Sequence, residues 1–436
     1  MPGERYDRLH AGDRAQDHRT PGERDRDRVL YTSALRRLGA VTQVVSPTDG
    51  ILSHTRLTHT LEVSQIGRRI AERLNRQEES KVKKMGGIDP DIVETAALIH
   101  DLGHPPFGHA VEKELDRLVI AAGVADGFEG NPQSFRIVTK LATRNAKISG
   151  LNLTRATLNA SLKYPWTRAT SGYRKRKWGA YGTEKKEFDW ARGLHDPGDE
   201  SRSVEAELMD WADDVAYAVH DVEDFYRVGL IPLDRLSSDQ EEVKRFVRTA
   251  VRYLTDEPRY QSQELRETID ALVEAFVRVV KDIPVLEPYR GTRRQRAGLR
   301  AFTAYWINTY VNAVTLAPDE PAGSRVKISD AARDQVDILK QLTRFYVITN
   351  PALETQQYGQ RRVVRDLFRI YEDALDSNND ISVFPLSHRE DIESANGEEE
   401  AIRIVADLIS SMTEPQLLRT HQRLIGIAPG SVTDVI

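Results

Sequence analysis

Three of the chain's 11 histidines fall within ten residues of one stretch, ALIHDLGHPPFGHAVEKEL at residues 96–114. The adjacent pair His100 and Asp101 comes first, and His104 and His109 follow on either side of PPFG. Imidazole and carboxylate groups bind borderline divalent metals, and an imidazole can also transfer protons near neutral pH. An isolated His-Asp pair is common, but ordinary protein cores do not collect this much imidazole. The stretch therefore predicts a catalytic centre.

Two metal ligands in one stretch are too few to fix an ion, so distant residues must complete the set. His59 lies near the start of the segment LTHTLEVSQIGRRIAERLN (57–75), and the segment 201–229 contains DDVAYAVHD. Within it, Asp213, Tyr217 and Asp221 are spaced four residues apart and share one helix face. A carboxylate on a partly apolar helix is costly to bury unless it is paired or binds a cation. The sequence thus predicts one ion held by two histidines, Asp101 and one aspartate of this segment.

Helices must position these residues, because apolar residues recur at spacings of three and four along most of the chain. In the segment 57–75, Val63, Ile66, Ile70 and Leu74 form one such stripe. The segment 89–103 has a capping aspartate and a proline at its start, which places the His-Asp pair at a helix C-terminus. Helices are also predicted at 132–143, 154–162, 201–229, 240–255, 262–281, 296–314, 328–342, 361–376 and 399–411.

Strand-like alternation is scarce, and TQVV at 42–45 is the best candidate for a strand. Residues 164–200 are rich in glycine, aromatic and charged residues, and we expect a long loop with little regular structure. The fold class is therefore all-α. Residues 1–28 are strongly polar, which predicts an arm that is disordered or is ordered only by a partner.

Composition narrows the classes of function. The 436 residues carry 62 Lys+Arg and 67 Asp+Glu, and the net charge of −5 excludes a general polyanion binder. The chain has no cysteine, so disulfides, cysteine-ligated zinc and thiol catalysis are excluded. No apolar run approaches the roughly 20 residues that span a bilayer. The N-terminus is too charged for a signal peptide, so we expect a cytoplasmic protein without membrane association.

A basic cluster, YRKRKW at 173–178, is the strongest local candidate for a nucleic-acid contact. We interpret it as the solvated face of a loop, because charge runs usually are. Weak binding of single-stranded nucleic acid is kept as an accessory hypothesis, together with the arginine-rich N-terminal arm.

RLTHTLEV and HDLGHPPFGH together are specific enough to indicate a family. The chain resembles the HD-domain deoxynucleoside triphosphate triphosphohydrolases, the dGTPase and dGTPase-like group, over about residues 25–425. Further matching segments are FEGNPQSFRIV (128–138), LNLTRATLNASLKYPW (151–166), MDWADDVAYAVHDVED (209–224) and RIVADLISSMTEPQLL (403–418). The resemblance implies a multi-helix HD phosphohydrolase fold with additional C-terminal helices. It divides the chain into an arm (1–28), an HD catalytic core (29–230) and a helical C-terminal part packed on the core (231–436).

The resemblance also implies the reaction, which converts a dNTP and water into deoxynucleoside and inorganic triphosphate and so controls dNTP pools. The cofactor would be a divalent metal ion, Mn, Mg, Fe, Ni or Zn. The family spacing favours Asp213 over Asp214 as a ligand. The implied metal ligands are His59, His100, Asp101 and Asp213.

By the same resemblance, His104 with Glu112 would form the acid/base pair and His109 would contact phosphate, although the division between the two histidines stays open. Tyr217 would pack under the sugar and exclude a 2′-hydroxyl. The implied contacts to triphosphate, sugar or base are Gln43, Arg56, Asn131, Lys163, Tyr164, Tyr217, Asp221, Arg361 and Arg365.

Two rival functions stay open. One is another HD phosphohydrolase activity, on a nucleoside monophosphate or a cyclic nucleotide. The other is a nucleic-acid-binding regulatory protein that has kept the fold, although the intact set of histidines argues against lost activity. Relatives assemble as hexamers or from dimers, so we expect a homo-oligomer and a nucleotide effector.

Overall fold

The computed structural model describes residues 3–10, 17–43, 55–236, 238–254, 260, 272–279, 287–319, 324–376 and 381–428. Regular structure in these ranges is almost entirely helical, which confirms the all-α prediction. The described strands form one antiparallel hairpin, β1 (Val314–Leu316) and β2 (Val326–Ile328), paired with Thr315 opposite Lys327.

The helices of the first half of the chain are α1 (Pro21–Leu30), α2 (Ser33–Arg37), α3 (Arg56–Gln77), α4 (Glu79–Lys84), α5 (Pro90–Ile99), α6 (His109–Ala121), α7 (Gly130–Arg136), α8 (Arg155–Ala160), α9 (Lys185–Ala191) and α10 (Val204–Arg227). Those that follow are α11 (Leu233–Leu236), α12 (Gln240–Leu254), α13 (272–279), α14 (Arg293–Asn312), α15 (Asp330–Thr343), α16 (Pro351–Asp376), α17 (Leu386–Glu393), α18 (Glu398–Ser411) and α19 (Glu414–Leu424). Single π-helical turns extend α7 (Ile137–Leu141) and α15 (Arg344–Ile348).

The helices α3, α5 and α10 pack against one another at the centre of the largest apolar core. The predicted stripe Val63, Ile66, Ile70 and Leu74 is buried there. Gly67 lets the axes approach, since a Cβ at this position would lie 3.0 Å from Val93 Cγ1. These three helices therefore have a rigid common core, and each of them carries or precedes a predicted metal ligand.

The C-terminal helices cover the other side of the histidine stretch. The long helix α16 packs along α6, and α18 packs on both of them. Val111 and Leu115 of α6 share a buried apolar cluster with Leu367 and Phe368 of α16 and with Val405 of α18. The helix that begins at His109 is thus buried against a C-terminal layer.

The predicted disorder of the N-terminal arm is wrong for its described residues. α1 begins inside the arm at Pro21, behind a capping box formed by Thr20 and Glu23. Arg8 Nη1 lies 2.6 Å from Oδ1 of the fully buried Asp25, and Arg5 pairs with Glu205 of α10. Low hydrophobicity misled the prediction, because specific ion pairs, together with the packing of Tyr6 on the largest apolar core, attach this segment.

One smaller prediction also needs correction, and two others lie partly outside the described residues. The stretch 164–200 is not wholly a loop, since it contains α9 (Lys185–Ala191). In TQVV, Thr42 forms an isolated bridge with Thr55, and Val44 and Val45 lie outside the described residues. The predicted helix 262–281 is described only for residues 272–279.

None of the described helices is both long enough and apolar enough to cross a membrane.

Candidate active site

Three helices bring His59, His100 and Asp213 together. His59 Nε2 lies 3.1 Å from Asp213 Oδ1, and His100 Nε2 lies 3.7 Å from the same oxygen. One ligand atom from each residue lies within 4.8 Å of the others, which is a spacing that a single metal ion could bridge. Among the described residues, the buried His100 Nε2 has no hydrogen-bond partner. Because a buried orphan nitrogen is costly, this set of donors fits a metal ion.

Asp101 adjoins this group, and the protein engages both of its oxygens. Its Oδ1 lies 3.5 Å from His100 Nε2 and 3.0 Å from His104 Nδ1. Its Oδ2 accepts a hydrogen bond of 2.8 Å from Arg56 Nη1. Burial acts to raise the pKa of Asp101, but Arg56 and the two histidines hold that pKa well below its usual range. Asp101 is therefore an anion that connects the group of His59, His100 and Asp213 to His104.

The neighbouring aspartates of α10 point to different partners. Lys163 Nζ lies 2.9 Å from Asp213 Oδ2 and 2.7 Å from Asp210 Oδ1. Burial acts to raise the pKa of Asp213, but Lys163 and His100 hold it well below its usual range. Asp214 instead accepts a 2.8 Å hydrogen bond from Lys340 of α15. Of the two candidates, the structure thus places Asp213 beside the histidines.

A second group surrounds Glu112, one turn into α6. Glu112 Oε2 lies 3.4 Å from His109 Nδ1 and 3.7 Å from His104 Nε2. His104 and Glu112 are buried, whereas the His109 side chain is 66% exposed. Burial, reinforced by the charge of Arg56, lowers the pKa of His104 to about 4. His104 is therefore neutral near pH 7, and His109 is the histidine that faces solvent.

The HDLGHPPFGH backbone explains how one stretch serves both groups. α5 ends at Ile99, so His100 caps it, and the chain then passes so close to α7 that a Cβ on Gly103 would lie 2.2 Å from the Gly130 carbonyl oxygen. Phe107 (φ 64°) and Gly108 (φ 63°) both adopt the left-handed region and turn the chain into α6. Gly108 also leaves room for Arg56, whose Nη2 would lie 3.2 Å from a Cβ there.

Sequence reasoning missed two residues beside Glu112. Lys177 Nζ lies 3.5 Å from Glu112 Oε1 and bonds Glu129, which caps the N-terminus of α7. Burial and the charge of Glu112 raise the pKa of Glu129 to about 7, against the opposing charge of Lys177. Residues 173–176 of YRKRKW are exposed as predicted, but Lys177 is not. The signal was Trp178, an almost fully buried aromatic residue that marks where this loop re-enters the core.

The remaining predicted substrate residues fall into two sets. Asn131 Nδ2 donates to Glu129, while Tyr217 and Asp221 continue the face of α10 that carries Asp213. Gln43 is half-buried, and its Oε1 has no hydrogen-bond partner among the described residues. Asn131, Tyr217 and Asp221 belong to the first set, which extends from the two groups. Gln43 joins this set only through Thr42, which bridges Thr55 at the start of α3.

The second set is held by other contacts. Tyr164 is buried in a ring cluster with Trp166 and Tyr173. On α16, Arg365 Nε bonds Glu114 of α6 at 2.8 Å, and Arg361 lies one turn earlier. The structure therefore gives Arg365 a contact between helices, and places Arg361 on the helix that covers α6.

Comparisons with known proteins agree with this arrangement. The HD domain model matches residues 56–218, which carry all four predicted metal ligands, and the phosphohydrolase-associated domain model matches residues 326–423. The chain is 36% identical over 427 residues to a deoxyguanosinetriphosphate triphosphohydrolase-like protein of Corynebacterium efficiens, covering 94% of this chain and 93% of the relative.

Similar proteins with the same name occur in Streptomyces coelicolor (34% identical, covering 94% of this chain and 93% of the relative) and Bifidobacterium longum (32% identical, covering 93% of this chain and 83% of the relative). HD domains are metal-dependent phosphohydrolases, and the His and Asp group described above is a candidate metal site. The chain therefore belongs to the deoxyguanosinetriphosphate triphosphohydrolase-like family of HD phosphohydrolases.

Proposed function

We propose that this protein hydrolyses deoxynucleoside triphosphates at the α-phosphorus, releasing deoxynucleoside and intact inorganic triphosphate. The observation that carries the proposal is the direct link between the two groups, since Asp101 Oδ1 lies 3.0 Å from His104 Nδ1. Ligands suited to a metal and groups suited to proton transfer thus adjoin in one site. The names of the relatives supply the substrate class, with dGTP as the first candidate.

The divalent metal would be held by His59, His100, Asp101 and Asp213. When bound, it supplies Lewis acidity toward a phosphate oxygen and a water molecule. Mixed imidazole and carboxylate ligands suit Mn, Fe, Ni, Zn or Mg. Arg56 beside Asp101 and Lys163 beside Asp213 keep the two aspartates anionic, because these cations lower the pKa of each carboxyl.

Cationic side chains would neutralise the triphosphate. Arg56 spans from Asp101 toward Gly108, between the two groups. Lys163 lies on the metal-ligand side, and Lys177 lies on the Glu112 side. These charges would stabilise the additional negative charge that develops on phosphate oxygens during attack by water.

Proton transfer would depend on the group around Glu112. Expulsion of the deoxynucleoside requires a proton at its 5′ oxygen. We assign this role to His109 rather than to His104, which the resemblance pairs with Glu112, because His109 faces solvent and its Nδ1 is the ring nitrogen closest to Glu112. His104, which is neutral and lies between Asp101 and Glu112, would accept or hold a proton inside the site.

The sugar and base would contact the face of α10 beyond Asp213. Tyr217 is one turn from Asp213 and would pack under the deoxyribose, while Asp221, Gln43 and Asn131 would supply hydrogen bonds. Tyr164, Arg361 and Arg365 remain proposed contacts to the triphosphate or the base.

At the level of the cell, we propose that the enzyme is cytoplasmic and limits dNTP pools. We further propose a homo-oligomer, hexameric or built from dimers, that responds to a nucleotide effector. Weak binding of single-stranded nucleic acid stays an accessory hypothesis, based on the exposed cations of residues 173–176.

The proposal is tested by incubating the purified chain with each dNTP, singly and in mixtures, with Mn²⁺ or Mg²⁺. Release of deoxynucleoside and triphosphate in equal amounts is expected. Orthophosphate, or hydrolysis only of monophosphates or cyclic nucleotides, would favour the other HD activities. Nucleic-acid binding without any turnover would favour the regulatory alternative.

A further inference from the structure

Glu414, the first residue of α19, connects the C-terminal region to two segments of the active site. It is 6% exposed and lies far along the chain from the residues of the two groups. Its Oε1 accepts hydrogen bonds from the Thr42 amide (2.8 Å) and the Phe107 amide (3.2 Å). Its Oε2 accepts a hydrogen bond of 2.8 Å from Thr42 Oγ1. One buried carboxylate thus receives three donors from two separate segments.

The first segment leads into α3, the helix that carries His59. Thr42 precedes Gln43 and bridges Thr55, which caps the N-terminus of α3. The Arg56 amide donates to the Val41 carbonyl at 3.0 Å. A displacement at Thr42 would therefore reach Gln43 and the first turn of α3, where Arg56 lies.

The second segment leads into α6, the helix that carries His109 and Glu112. Phe107 is a non-glycine residue in the left-handed region, a conformation that persists only where its surroundings enforce it. His109 begins α6 two residues later, and the Glu112 amide bonds the Gly108 carbonyl at 3.0 Å. By accepting a hydrogen bond from the Phe107 amide, Glu414 stabilises the turn that orients His109.

A buried arginine reinforces the same junction. Arg37 Nη1 donates to the Met412 carbonyl at 3.2 Å, and Nη2 donates to the carbonyls of Leu102 and His104 at 2.7 and 2.8 Å. Burial, with the charge of Arg56 adding to it, lowers the pKa of Arg37 to about 10, so Arg37 keeps its charge near pH 7. Residues 412–414 are thus bonded, directly or through Arg37, to both ends of the loop from Leu102 to Phe107.

We propose that Glu414 is a positioning residue of the phosphohydrolase site. It sets Thr42, with the start of α3 that Thr42 bridges through Thr55, relative to the His109–Glu112 turn, and so makes the phosphohydrolase-associated region part of the catalytic arrangement. Its effect on turnover rests on the triphosphohydrolase function proposed above, whereas its effect on the two segments does not.

The test compares Glu414→Ala and Glu414→Gln with a matched control, Glu187→Ala. Glu187 is an equally buried carboxylate, but it pairs with Lys140 and contacts neither segment. A misplacement of about 1 Å can cost about 100-fold in rate, so Glu414→Ala should lower kcat per folded molecule by about ten-fold or more. Glu414→Gln keeps an acceptor for both amides and should restore kcat to within about three-fold of wild type.

Two further measurements separate positioning from general damage. Bound Mn²⁺ should be retained in Glu414→Ala, because the described hydrogen bonds of Glu414 are to Thr42 and Phe107 and to none of the proposed metal ligands. Hydrogen exchange in peptides covering residues 38–43 and 102–112 should accelerate in Glu414→Ala and not in Glu187→Ala. This last measurement needs no substrate, so it decides the positioning role even if the wild-type protein releases no triphosphate. Unchanged exchange in both peptides, or a kcat loss no larger than that of Glu187→Ala, would overturn the proposal.

Discussion

Two adjacent aspartates on α10 show how much the site depends on single side chains. Asp213 and Asp214 are identical and adjacent residues, yet Asp213 faces the histidines and Asp214 faces Lys340. The difference arises from the 100° rotation between consecutive residues of a helix. The family resemblance favoured Asp213, because the family's spacing of Asp, Tyr and Asp matches Asp213, Tyr217 and Asp221 and does not match Asp214.

We therefore predict that Asp213→Asn loses the metal ion and that Asp214→Asn keeps it. Loss of a residue that only hydrogen-bonds a metal ligand typically reduces metal affinity or activity by about 10–100-fold. Loss of a direct ligand should therefore reduce turnover by about 100-fold or more. Metal content after desalting, measured with Mn²⁺-loaded protein, gives the comparison. Equal metal content in the two variants would show that the ligand has been misassigned.

Sugar selectivity is the second property that belongs to one residue. Tyr217 follows Asp213 by one turn, and burial together with the charges of Asp221 and Asp213 raises the pKa of its hydroxyl, so it is a neutral phenol. We predict that Tyr217→Ala weakens the preference for dNTP over NTP by about ten-fold or more, because the space for a 2′-hydroxyl opens. Tyr217→Phe keeps the ring and should keep the preference. The ratio of kcat/KM for the two substrates decides it, and an unchanged ratio in Tyr217→Ala would be contrary to this role.

Not all residues of the site were predictable. His59, His100, Asp101 and Asp213 stand in recognisable motifs, whereas Lys177 sits in a basic run that looks like solvent-exposed loop. Which lysine of such a run turns inward depends on where the loop docks, and no local pattern states that. Glu414 was missed for a related reason, because its partners lie more than 300 residues away along the chain.

Among the elements, α7 bears a buried acid at its start. Glu129 caps this helix through the Asn131 amide and also bonds Lys177. Burial and Glu112 raise its pKa from 4.5 to about 7, so the folded state favours the protonated form. Between pH 4.5 and 7 the unfolded chain releases this proton while the folded chain retains it, and stability is lost as the pH rises.

We predict that the pH-dependent contribution of Glu129 to the free energy of unfolding is absent in Glu129→Gln. The free energy of unfolding of wild type minus that of Glu129→Gln should fall by up to ~3 kcal/mol between pH 4.5 and 7, at about 1.4 kcal/mol per pKa unit. Denaturant unfolding across this range measures the difference. Parallel curves for the two proteins would mean that Glu129 titrates normally.

Helix existence was readily predicted from apolar periodicity, as α3, α5, α10 and α18 show. The N-terminal arm was not, because Arg5 and Arg8 attach it by ion pairs that apolar patterning does not detect. The start of α16 at Pro351 was also missed by ten residues, since its first three turns are largely exposed and carry little apolar stripe.

At the scale of the whole molecule, the two matched regions are parts of one arrangement. The HD region supplies the proposed metal ligands and the histidines, and the phosphohydrolase-associated region covers α6 and supplies Glu414. The relatives in Corynebacterium efficiens and Streptomyces coelicolor align over 93% of their own length, so they share both regions. We therefore expect the reaction to need the full chain.

The position of bond cleavage is the central claim, and hydrolysis in ¹⁸O-labelled water tests it most directly. The purified chain is incubated with dGTP and Mn²⁺ in H₂¹⁸O, and both products are analysed by mass spectrometry. Attack of water at the α-phosphorus predicts one ¹⁸O in the inorganic triphosphate and none in the deoxyguanosine. Label in the deoxynucleoside, or labelled orthophosphate or diphosphate in place of triphosphate, would contradict the proposed reaction.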